Sequence, residues 1–118
     1  MISVAIVAFV AVEHLWFMML EMFFWTKPIG QKIFRRSLAE QQFTATLAAN
    51  QGLYNGFLAV GLAWSLVPGH TEAIALRAFF LACVTVAGLF GGVTVSTRIA
   101  IVQAVPAVLG LLALWLGR

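Results

Sequence analysis

Apolar residues fall along the chain in four long runs, at about 1–25, 43–67, 73–95 and 97–117. Each run is long enough to cross a hydrocarbon core, which takes ~20 helical residues. None shows the period-two alternation of a barrel strand, so the pattern predicts helices throughout. The breaks carry turn chemistry. The stretch 26–42 holds Pro28, Gly30 and a cluster of cations, and Pro68-Gly69-His70 makes a short loop. Gly91-Gly92, followed by Thr94, Ser96 and Thr97, reads as a tight hairpin with capping residues for the last helix. The first run is expected to span rather than to be a cleaved leader. No Lys or Arg precedes Lys27, and no small-residue cleavage site follows the run. The expectation is an all-α polytopic membrane protein, a single domain over residues 1–118 forming a four-transmembrane-helix bundle.

Composition agrees with lipid as the solvent. Of 118 residues, 63% are hydrophobic and only 9% charged. A soluble domain is roughly 45–50% apolar and roughly 25% charged, and a sphere this small could not hide the excess. Disorder, a disulfide scaffold and nucleic-acid binding are excluded on the same grounds. The lone cysteine, Cys83, stands in an apolar run and reads as packing.

The net charge of +3 bears on topology. With the first loop, 26–42, in the cytoplasm, Lys27, Lys32, Arg35, Arg36 and Arg98 lie on that side, and Arg77 and Arg118 on the other. This asymmetry predicts a multi-pass protein of the inner membrane with both termini external. Within the loop, Gln31–Gln42 is expected as an interfacial helix or as an extension of the second spanning helix, with Ile33, Phe34 and Leu38 on the headgroups.

The candidate chemistry lies in polar residues inside the runs. Glu13, His14 and Glu21 fall at about 0°, 100° and 80° on a helical wheel and so share a face with Phe17. Leu15, Trp16, Met19, Met22 and Phe23 fall opposite, toward lipid. A central ionisable group costs ~2.5–3.5 kcal/mol on insertion scales, so three on one face call for protein partners or water. In the second run, Asn50, Gln51, Tyr54 and Asn55 span roughly 140° of the wheel. Ala48, Gly52, Gly56 and Ala59 form a small-residue stripe beside them. The last run adds Arg98 and Gln103. By depth, Glu21 matches Arg98, so a direct or bridged Glu21–Arg98 pair is expected, leaving Glu13 and His14 to handle protons.

These residues also carry a resemblance. Glu-His-(x)6-Glu-Met-Phe-x-Trp at 13–25, Lys-Pro-x-Gly at 27–30, Asn-Gln-Gly-Leu-Tyr-Asn-Gly at 50–56, and Arg98 with Gln103 resemble the small bacterial and fungal membrane proteins of domain-of-unknown-function family 1304. The resemblance covers nearly the whole chain and implies four membrane helices, with no established activity. A partial likeness is to the eicosanoid and glutathione metabolism superfamily of membrane enzymes, which implies a similar architecture and trimers. The Arg and Glu that accompany its second-helix asparagine are absent here, where Ala48, Ala49 and Leu53 stand nearby. The likeness therefore implies architecture rather than glutathione binding.

Three function classes follow. The preferred one is a polar intramembrane pocket, open to the cytoplasm, that binds a lipophilic small molecule. There Glu13, His14 and Glu21 would be acid and base, and Asn50, Gln51, Tyr54, Asn55, Arg98 and Gln103 would hold the ligand. The others are proton-coupled transport and a structural or accessory subunit. Expected partners are membrane lipid, the lipophilic molecule and further copies of the chain as a trimer or dimer, with Gly52/Gly56 and Gly88/Gly92 as contact stripes either between copies or within one chain. His14, Met18 and Glu21 could in principle ligate a metal. No Glu-x-x-His or His-Glu-x-x-His pattern exists, and His70 lies in the opposite loop, so no metal or other cofactor is expected.

Overall fold

The computed structural model describes residues 1–117, and every regular element in them is helical. The helices are α1 (Ile2–Met22), α2 (Pro28–Phe34), α3 (Leu38–Trp64), α4 (Ala73–Thr94) and α5 (Thr97–Leu116). Arg118, one of the cations counted above, lies outside the described residues. By length and composition α1, α4 and α5 are each able to cross a membrane. At 27 residues α3 is the longest, but Gln41, Gln42, Asn50, Gln51 and Asn55 punctuate it and lower its apolar character.

The segment after α1 holds more structure than one loop. α2 opens with Pro28 in its first turn, where the missing N–H is no loss. It ends at Arg35, whose left-handed backbone (φ 54°) returns its N–H to the Gln31 carbonyl. α3 then starts at Leu38, five residues before the apolar run. The reason is a capping box. The Glu40 N–H donates to Ser37 Oγ at 3.2 Å, and the Ser37 N–H donates to Glu40 Oε2 at 3.0 Å. The Ser-x-x-Glu spacing is a legible start signal that the hydropathy pattern alone passes over. Gln31–Gln42 is thus divided between a short helix and the first turns of α3.

The Ser37 backbone N–H, the Ser37 hydroxyl and the Arg36 charge hold the exposed Glu40 carboxyl below its usual value. A lowered acid stabilises the folded form above the ordinary carboxylate range and loses that effect as pH falls through the lowered value. Hydrogen-exchange protection of the Glu40 and Gln41 amides should therefore fall on acidification. Ser37→Ala should lower it at neutral pH and flatten the pH response.

The chain divides into two compact units, Met1–Val12 with Val60 onward, and Glu13–Ala59. In the first, Val7, Leu62, Leu81, Val84, Ala104 and Ala107 are buried. Glycines set the close contacts. Gly110 packs on Leu81 and Ile6, Gly91 on Ile99, and Gly92 on Ala100. Gly91 and Gly92 lie inside α4, which runs on to Thr94; they are contact points and not the hairpin expected of them. The turn falls at 95–96, where Ser96 Oγ accepts the Arg98 N–H at 3.3 Å. Pro68-Gly69 is the expected turn, with Gly69 at φ 75°. Below it Arg77 donates from Nε and Nη2 to the Ser65 carbonyl at 3.1 and 2.9 Å.

Residues Ala100–Ala104 of α5 form a π segment, in which the Val105 N–H bonds back to Ala100. Pro106, just beyond, lacks an N–H, and its ring would press on the carbonyl four residues earlier. Widening the turn relieves that conflict. Gly88 of α4 packs against the widened turn, at the backbone of Ala104.

In the second unit the end of α1, α2 and most of α3 are tied by side chains. Trp25 Nε1 donates to Thr44 Oγ1 at 3.1 Å, and Gln41 Nε2 donates to the Trp25 carbonyl at 2.7 Å. Trp25 and Phe34 rings pack with centroids 4.6 Å apart. Gly30 is buried against the Phe24 and Trp25 carbonyls, which leave no room for a Cβ.

Candidate functional site

The Glu13–Ala59 unit brings one acid and one amide together. Asn55 Nδ2 donates to Glu21 Oε2 at 2.9 Å, linking α3 to α1. Asn55 is 4% exposed, while Glu21 is half-buried. The pair forms because α3 turns its smallest face toward α1. Ala48, Gly52, Asn55, Gly56 and Ala59 are all buried. A Cβ on Gly52 would stand 2.7 Å from Met22 Cγ, 3.0 Å from Glu21 Cβ and 3.2 Å from the Met18 carbonyl oxygen. A Cβ on Gly56 would stand 2.8 Å from Met18 Sδ. Only glycine lets the helices approach this far.

One expectation is corrected here. Met22, placed toward lipid with Met19, instead packs on Gly52, and Met18 packs on Gly56. The unbranched thioether fills the shallow groove that glycine leaves. Of the two uses left open for the Gly52/Gly56 stripe, between copies or within one chain, the structure shows the second. Gly88/Gly92 is likewise taken up within the chain, by Ala104 and Ala100.

The remaining candidates distribute as follows. His14 is fully buried, its ring edge-on to Phe17 at 5.4 Å between centroids. Glu13 is half-buried, and its Oε2 makes no hydrogen bond among the described residues. Asn50, Gln51 and Tyr54 are exposed on α3, and Tyr54 touches the Phe57 ring edge-on. At 100° per residue, Asn50 and Tyr54 stand about 160° and 200° round from Gly52, away from the face that holds Asn55. Arg98 and Gln103 belong to the other unit. Arg98 is exposed, and Gln103 is half-buried in the π segment with its Cβ beside Gly88. Gln41 was not among the candidates. It is fully buried, and its Oε1 makes no hydrogen bond among the described residues. Its only sequence signal is a glutamine near the start of an apolar run. No three of His, Cys, Asp and Glu among the described residues group as metal ligands would.

Chemically, a carboxylate tied to one amide keeps lone pairs for a further donor. A hydroxyl, amine or amide on an otherwise apolar molecule would suit it.

Comparison with known proteins adds a family without an activity. The family model described as "Protein of unknown function (DUF1304)" matches residues 8–115. The chain is also similar to the uncharacterized protein YpaA of Lactococcus lactis subsp. lactis (strain IL1403). The two are 28% identical over 106 residues, which cover 88% of each chain. No solved structure matches.

Proposed function

Because the chain belongs to the DUF1304 family of proteins of unknown function, its chemistry must be argued from its own residues, and we propose that it binds a lipophilic small molecule in the membrane at Glu21 and Asn55. The observation that carries this reading is the 2.9 Å bond between the two in a unit where Glu21 stays half-buried. Helix-to-helix attachment alone would be served by two amides at lower cost than a carboxylate. A carboxylate left half open is suited to receive a ligand's hydroxyl or amine. Glu13 and His14, two turns earlier on α1, are the proton-carrying groups of this reading, and any chemistry on the ligand is acid/base chemistry.

The same reading takes α3, from residue 43 onward, as a fourth membrane span beside α1, α4 and α5. Its buried small-residue face and its length support this. The exposed cations Lys27, Lys32, Arg35 and Arg36 lie on the cytoplasmic side, which puts both termini outside. A cysteine at Lys32 should then resist impermeant maleimide added to intact cells, and ready labelling would reverse the orientation.

The ligand reading is tested by extraction. Wild-type protein and Glu21→Gln and Glu21→Ala variants, purified in mild detergent, are extracted with organic solvent and compared by mass spectrometry. A lipophilic species enriched with the wild type should be depleted several-fold in both variants. Identical extracts from all three, at unchanged stability, would reject the role of Glu21.

A further inference from the structure

With the glycine face of α3 occupied inside the chain, the opposite face remains, and its composition is unusual for a surface turned to lipid. Phe43, Leu47, Asn50, Tyr54 and Phe57 follow one another at intervals of four, three, four and three residues, and all are exposed. Phe43 is 91% exposed, Leu47 72% and Tyr54 51%. This is the spacing of a seam between two helices that cross at a shallow angle. With the span starting at residue 43, Asn50 and the neighbouring Gln51 stand about 10–12 Å inside it, within the hydrocarbon. Neither amide, nor the Tyr54 hydroxyl, makes a side-chain hydrogen bond among the described residues. Hydrocarbon offers them no partner, and a polar group left so is strongly disfavoured.

We propose that this stripe of α3 is the face on which a second copy of the chain docks, with Asn50 bonding Asn50 of that copy. The inference rests on the reading of α3 as a membrane span. An amide carries both donor and acceptor, so one asparagine satisfies another of its kind. Copies insert in the same orientation, so their symmetry axis runs along the membrane normal and equivalent residues meet at equal depth. Asn50 thus meets Asn50, and Tyr54 and Leu47 meet their counterparts one turn to either side. A free lipid or an unrelated helix has no reason to match both the depth and the four-three spacing.

The test uses single cysteines in full-length protein in membranes, after Cys83→Ser. Oxidation of Leu47→Cys, Asn50→Cys and Tyr54→Cys should give disulfide-linked dimers. Gln42→Cys and Ala49→Cys, each about 100° round the helix from Phe43 and Asn50, should give several-fold less. In detergent, Asn50→Leu should raise the dissociation constant of the dimer on the order of tenfold, whereas Asn50→Gln should retain it. The Asn50 side chain makes no hydrogen bond among the described residues, so the leucine variant should keep its helical circular dichroism. Equal cross-linking around α3, none on the stripe, or an adduct with a different protein would overturn the proposal. The premise is read separately: rapid reaction of the cysteines at 50 and 54 with an impermeant maleimide would show α3 in water and remove the membrane-span reading itself.

Discussion

Gly52→Leu is expected to force α1 and α3 apart within the Glu13–Ala59 unit and to destabilise the protein by about 3 kcal/mol. Two effects add. The new side chain begins with a Cβ 2.7 Å from Met22 Cγ and 3.2 Å from the Met18 carbonyl oxygen. Met22 can swing aside, but the backbone oxygen cannot move without α1 moving. Displacing α1 then breaks the Asn55–Glu21 bond and leaves the nearly buried Asn55 amide without its acceptor. Unfolding in mixed micelles would measure the loss. On the proposed reading, any lipophilic species extracted with the wild type should be lost as well, because the same displacement opens the surroundings of Glu21. A milder Gly52→Ala variant separates the terms. Alanine favours helix by ~1 kcal/mol over glycine, so a net loss there would be contact alone. A Gly52→Leu protein as stable as wild type would mean that the two helices do not approach as described.

Gly88→Ala is expected to destabilise the other unit by about 1–2 kcal/mol despite the gain in helix propensity. The added Cβ would meet the Ala104 backbone nitrogen at 2.7 Å, and Ala104 Cβ and Gln103 Cβ at 3.0 Å. The Ala104 nitrogen belongs to the π segment, so relief would require that segment to rewind or α4 to withdraw. Val86→Ala, exposed on the same helix, serves as the control and should change stability by no more than about 0.5 kcal/mol. Thermal unfolding of the two variants side by side should show a lower midpoint for Gly88→Ala only. Equal midpoints would show that the contact with Ala104 yields without cost.

Family membership was legible in the sequence. Glu13, His14, Glu21 and the Asn50–Asn55 cluster with its flanking motifs carry enough identity for a resemblance, and the family model matches from residue 8 to 115. The candidate site was legible only as a set of residues. Asn55 stood in it on equal terms with Asn50, Gln51 and Tyr54, and of these four the structure joins Asn55 to Glu21. Arg98 was expected beside Glu21; the bond described for the Glu21 carboxylate comes from Asn55.

The division follows from what each kind of information contains. Helical class, the membrane-compatible lengths of α1, α4 and α5, and the turn at Pro68-Gly69 depend on sums over about twenty residues or on the geometry of one dipeptide. Such local quantities are written in the order of residues. A helical wheel orders residues around a helix but does not say which way the helix faces. Rotating α3 by about 140° would turn Asn50 instead of Asn55 toward α1 without altering the sequence. Glycine has the same ambiguity, since it serves a turn and a close helix contact equally well. What lies opposite decided it: Met22 for Gly52, Met18 for Gly56, Ile99 and Ala100 for Gly91 and Gly92. The π segment before Pro106 also belongs to packing, because the proline disfavours a regular turn but does not determine how the helix accommodates it.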